Sequence, residues 1–177
     1  MQKFHSNNKR IDYLRNHESN KYARDFREKI LLSFPEILNK IITLNEALYT
    51  FAPSIYDSDG ENMIGVGKYI QRLVKYSKAE NSTLVYWLSL IDEFCSKNII
   101  HLNKTNVHMI LISSLHITIK VHEDVTYRHK DYAFIGGINA NKLTKLENYF
   151  LEVLDFKVHI GPEKFSKYFQ SISQLEG

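Results

Sequence analysis

"YAFIGGINANKLTKLENYFLEVLDF", residues 132–156, decides the fold. From 139 to 154 its leucines and phenylalanines return at helical rather than alternating spacing, which predicts a helix with one buried stripe. Glu147 falls beside that stripe, one turn after Leu143 and one turn before Leu151. A carboxylate in such company needs a partner. The glycines just upstream have a plainer reason: Gly136 can take the left-handed conformation that ends a short helix over 130–135, and Asn139 can cap the next one.

Working outward, helical spacing covers the whole chain. With 7 Gly and 3 Pro among 177 residues, turn punctuation is sparse and alternation weak, so the fold class is all-α. Further helices are predicted over 67–78, 82–97 and 104–122, which with 130–135 and 139–154 make five. Upstream, Tyr22, Phe26, Ile30 and Leu31 share a helical face, and Pro35 can open a second helix carrying Ile37, Leu38, Ile41, Leu44 and Leu48. "APSIYDSDGENM", residues 52–63, reads as a linker, and "PEKFSKYFQSI" opens a last short helix at Pro162. The expected organisation is an N-terminal extension, polar and then helical (1–34), a five-helix domain with its preceding helix (35–160), and a C-terminal helix and tail (161–177).

Composition bounds the function. A 44% hydrophobic fraction with 11 Tyr and 10 Phe fills a sizeable core, which excludes a disordered chain. The net charge of +3, without a lysine and arginine run, gives no basic arm, so no direct nucleic-acid partner is expected. The single cysteine, Cys95, lies in an apolar helical pattern, which excludes an internal disulfide and fits an intracellular setting, cytoplasmic or nuclear. No signal-peptide core opens the chain, and the apolar run from Met109 to Val121 is broken by Ser113, Ser114 and His116, so no membrane passage is expected.

Chemical motifs are weak. "GVGK", residues 65–68, has Asn62 and Tyr69 where a phosphate loop needs glycine and a hydroxyl residue. "HED", residues 122–124, lacks a second histidine, and the eight histidines never stand at i, i+4, so they read as scattered and no metal or other cofactor is expected. No nucleophile sits in a strand-turn-helix context, which argues against an enzyme. Two charges in apolar helices remain, Lys120 and Glu147.

"IKVHEDVTYRHKDYAFIGGINANKLTKLENYFLEVLDF", residues 119–156, resembles the P-type (P/U-type) cyclins, which carry a lysine, an acidic turn, Tyr-Ala-x-Val-Gly-Gly-Ile and Glu-Leu-x-x-Leu-Glu-x-x-Phe-Leu. "EILNKIITLNE", "YIQRLVKY" and "LVYWLSLIDEF" extend the likeness upstream, over roughly residues 35–160. The chain departs from the pattern at Lys142, where the family has an acid, at His129 for asparagine, at Thr118 for alanine, and at "IDEF" for Ile-Asp-Arg.

The resemblance implies a single five-helix cyclin box with additional N-terminal helices and a short C-terminal helix. It implies an activating subunit of a cyclin-dependent kinase, with no active site of its own. Lys120 and Glu147 would hydrogen-bond to the backbone at the start of the kinase C helix, and Ile117, Val121, Leu151, Phe156 and Val158 would line its pocket. Asp124 would reach the kinase arginines that usually hold a phosphorylated activation-loop residue, and Arg72 would pair with Asp92 inside the box. A transcription-factor-type cyclin fold that binds DNA or other factors, and a non-activating scaffold, are the alternatives. The former usually has two boxes and a more basic face.

Overall fold

A computed structural model describes residues 2–58 and 64–175, with side chains described from Ser19 onward. Seven helices and no strand occur among the described residues: α1 (Gln2–Leu48), α2 (Val66–Ser77), α3 (Asn81–Ser96), α4 (Val107–His122), α5 (His129–Gly136), α6 (Ala140–Val153) and α7 (Pro162–Ser173). The five predicted box helices are α2 to α6. None of the described helices is long and apolar enough to cross a membrane.

The centre is α4, whose residues from Val107 through Ile119 are all buried. A helix buried all round must satisfy its polar side chains internally. Ser113 and Ser114 donate to the carbonyls of Met109 and Ile110 at 2.8 and 2.6 Å, and Thr118 donates to that of Ser114 at 2.8 Å. The Trp87 indole of α3 donates to the Ser114 hydroxyl at 2.9 Å. The polar residues that interrupt the apolar run are therefore core residues, and α2, α3, α5 and α6 all pack on this helix.

Two expectations for the N-terminal region change. Pro35 lies inside α1 and starts no second helix, so the helix runs unbroken past the expected boundary at residue 35. The apolar phase continues through it: Phe26, Ile30, Phe34, Leu38 and Ile42 form the buried stripe, at a constant spacing of four. Ile37, Ile41, Leu44 and Leu48, expected on the packed face, are exposed. Pro35 is instead a packing surface, against which a side chain at Gly67 of α2 would stand at 3.5 Å. At its middle α1 meets the last helix: Phe26 stacks on Phe169 with centroids 5.0 Å apart, and Lys29 donates to the Ser173 carbonyl at 2.7 Å.

Within the linker, residues 54–58 are docked through Tyr56 and Asp57. Tyr56 is fully buried, its hydroxyl donating to the Leu146 carbonyl at 2.9 Å, and Asp57 accepts from the Ser54 amide and the Thr105 hydroxyl at 2.7 and 2.9 Å. Residues 59–63 lie outside the described residues.

The double glycine works in the opposite order from the expectation. Gly137 takes the left-handed conformation, φ +73°, and ends α5. Gly136 is helical and is needed for space, since a Cβ there would stand 2.6 Å from Ile112 Cγ1 of α4. Asn139 caps α6 as expected, accepting from the Lys142 amide at 2.7 Å.

The expected Arg72–Asp92 pair is not formed. Arg72 donates from Nε to the Ile135 carbonyl at 2.8 Å and from Nη2 to that of Phe134 at 3.1 Å, satisfying the otherwise open end of α5. Asp92 is exposed and accepts from the Tyr168 hydroxyl of α7 at 2.6 Å. Burial and this carboxylate together raise the Tyr168 phenol above its usual range. Each charge serves a different junction because two carbonyl acceptors at a helix end suit a guanidinium fork.

Two outcomes are expected in thermal melts. Gly136→Ala loses about 1–3 kcal/mol through overpacking, and combining it with Ile112→Ala costs less than the two single changes added together. Arg72→Met and Asp92→Asn are additive within about 0.5 kcal/mol; strong coupling between them would restore the ion pair.

Candidate functional site

Lys120 stands in the last turn of α4 and Glu147 in the middle of α6, and the packing of these helices joins them. Lys120 Nζ donates to Glu147 Oε1 and Oε2 at 3.0 and 3.2 Å. The two ends differ in environment: the Glu147 side chain is 6% exposed and that of Lys120 49%. The carboxylate therefore lies on the floor and the ammonium at the rim.

Two histidines complete the floor. His116, one turn before Lys120 on α4, places Nδ1 2.7 Å from Glu147 Oε1, and His129, at the start of α5, places Nδ1 3.6 Å from Oε2. The His116 contact is close but badly angled, so this buried nitrogen has no hydrogen-bond partner. Burial lowers the His116 imidazole despite the adjacent carboxylate, helped by the Lys120 charge and by His129. Burial alone would raise the Glu147 carboxyl, but contacts with His116 and Lys120 outweigh it and hold the group below its usual range. At neutral pH Glu147 is ionised. His116, His129 and Glu147 each bring one ligand-type atom within 4.8 Å of the others.

The apolar residues expected around this pair divide. Val121 and Phe156 are exposed, at 45% and 67%. Leu151 and Val158 are half-buried against the core and continue the same region. Ile117 is a correction: it is 3% exposed and belongs to the core, because the face of α4 that carries it is covered. Phe156 reaches the surface by a local device. Asp155 and Phe156 both adopt left-handed φ, 50° and 55°, and the Phe156 amide returns to the Leu151 carbonyl at 2.8 Å. That conformation costs a bulky residue about 1–2 kcal/mol, so the projection of the ring is held by its surroundings.

The acidic turn after α4 also divides. Glu123 accepts from the Glu80 amide at 3.0 Å, at the start of α3, whereas Asp124 faces solvent. His116 and His129 are the residues that sequence reasoning missed. The signal was there, a histidine inside an apolar run and a histidine in place of asparagine, but only the meeting of α4 with α5 brings them together.

The sequence model of the family described as Cyclin matches residues 2–158. Cyclin-U2-2 of Arabidopsis thaliana is 29% identical over 158 residues, which cover 83% of this chain and 69% of that one. Cyclin-U2-1 of the same plant is 35% identical over 104 residues, covering 58% and 47%. PHO85 cyclin-7 of Saccharomyces cerevisiae is 28% identical over 167 residues, covering 80% and 59%. The chain thus spans between 47% and 69% of the length of these relatives. A family match that runs from α1 through α6 leaves one assignment: the chain belongs to the cyclin family, in its P/U-type branch.

Proposed function

We propose that this chain is the activating regulatory subunit of a cyclin-dependent kinase and that it receives the kinase C helix on the surface around Lys120, Glu147, Val121, Leu151, Phe156 and Val158. The observation that carries this reading is the Lys120–Glu147 pair, joined across two helices at 3.0 Å beside the exposed Val121 and Phe156. A half-exposed ammonium and a buried, ionised carboxylate suit the polar backbone at the start of a helix, while the apolar groups suit its flank. The name of one yeast relative, PHO85 cyclin-7, is consistent with a kinase-associated role.

Activation is then a population shift. A kinase samples inward and outward positions of its C helix, and a subunit that binds the inward one holds the lysine–glutamate pair that aligns the ATP phosphates. Catalytic groups, ATP and magnesium all belong to the kinase, within the cell. Asp124, solvent-facing beyond Lys120, extends the same surface and docks on the arginine cluster that otherwise needs a phosphorylated loop.

Affinity purification of the full chain followed by a kinase assay tests the proposal. Lys120→Ala is expected to weaken kinase binding by about 10- to 100-fold, the loss of a charged hydrogen bond, with helix content unchanged. A folded Lys120→Ala chain that binds and activates normally would refute the docking surface. Phe156→Gly separates docking from stability: relief of the left-handed strain keeps or raises the melting temperature while binding falls. With an unphosphorylated kinase, Asp124→Asn lowers activity far more than it weakens assembly, and equal activity would remove Asp124 from the mechanism.

A further inference from the structure

Lys120 accounts for the charge of Glu147 but not for the two imidazoles beside it. We propose that His116, His129 and Glu147 form a binding site for one divalent transition-metal ion, zinc above all, against the Lys120–Glu147 pair. Two imidazoles and one carboxylate, with a water in the fourth position, are a three-ligand set that zinc accepts.

The geometry needs little adjustment. The three ligand atoms lie within 4.8 Å of one another. Bonds of about 2.0–2.1 Å in a tetrahedron place ligand atoms about 3.3 Å apart, so the His116–Glu147 contact at 2.7 Å opens and the longer separations close, changes within reach of side-chain rotation. The ligands come from α4, α5 and α6, which already pack together.

The contacts around the two rings suit ligands. His129 Nε2 lies 3.0 Å from the Ala140 carbonyl and 3.0 Å from the Thr144 hydroxyl, whose own proton goes to the same carbonyl at 3.1 Å. Nε2 therefore donates to the Ala140 carbonyl, which leaves Nδ1 as the ring nitrogen turned toward Glu147 Oε2 at 3.6 Å. The carbonyl behind the ring is the outer partner that orients a metal-bound histidine. His116 Nδ1 is buried without a hydrogen-bond partner, and its ring packs on that of Tyr132 with centroids 4.4 Å apart, which holds its orientation.

Lys120 is the competing cation. Its side chain is 49% exposed, so it can release the carboxylate and move into water when an ion arrives. Metal and ammonium cannot both be held at full strength by one carboxylate, which makes Lys120 a determinant of metal affinity.

Zinc chloride titrated calorimetrically into the untagged full chain, with cobalt substitution followed by visible absorption, tests the site without any kinase. One ion per chain is expected, with the intense visible bands of four-coordinate cobalt. His129→Asn, on a side chain 32% exposed, is expected to weaken zinc binding by at least about tenfold while the chain stays folded by circular dichroism. Lys120→Met is expected to tighten it by about tenfold, because one positive charge leaves the neighbourhood of the ion. His122→Ala and His159→Ala, at the other close histidine pair, are expected to leave it unchanged. The site is overturned by the absence of a one-to-one isotherm, by unaltered affinity in His129→Asn, or by a loss that follows His122 or His159. If His116→Ala does not fold, His129→Asn and Lys120→Met still decide.

Discussion

The structure depends on a single constraint, that α4 has no solvent face from Val107 to Ile119. Every helix of the box must therefore present an apolar surface to it, and the polar atoms on it find partners inside, except for Nδ1 of His108 and of His116. The hydroxyls of Ser113, Ser114 and Thr118 fold back on their own helix, and of these Ser114 also accepts from the Trp87 indole of a neighbour. Such local closure keeps the outer faces of α4 available for packing. Only at Lys120 does the helix emerge, and the surface proposed for docking begins at that point.

Glu147 carries the consequence of this emergence. Its carboxylate is held ionised under a nearly complete cover, so charge is stored where water is scarce and interactions are strong. The ammonium above it and the two left-handed residues that push Phe156 outward give the surface a polar centre and an apolar rim. Both are set by backbone positions, at the end of α4 and just after α6, and neither depends on a flexible loop.

The sequence reveals helices more readily than neighbours. Helical spacing located all five box helices, because each buries a stripe whose period survives in the residue order. Pro35 misled because proline also opens helices, and only the unbroken spacing from Phe26 to Ile42 distinguishes continuation from a new start. Gly136 and Gly137 are adjacent, so composition cannot say which one turns the chain and which one clears Ile112. Arg72 and Asp92 show the limit of family pattern: both residues are present, but α5 and α7 supply closer partners that no residue spacing announces. Lys120 and Glu147 stand out in the residue order as charges within apolar helices, whereas the histidines beneath them required three helices to be placed first.

The contact between α1 and α7 bears on how the chain folds. Lys29 and Ser173 are 144 residues apart in sequence, and Tyr22 and Ser173 are 151 apart, whereas contacts within the box close shorter loops, such as the 63 residues between Arg72 and Ile135. Closing so long a loop costs entropy that few contacts return at once, so local helix pairs are favoured early and this seam late. The Phe26–Phe169 stack and the Lys29 hydrogen bond then act as a clasp over an already formed box. In hydrogen exchange such a clasp is a cooperative unit of its own, opening at lower free energy than α4 and leaving the box closed beneath it.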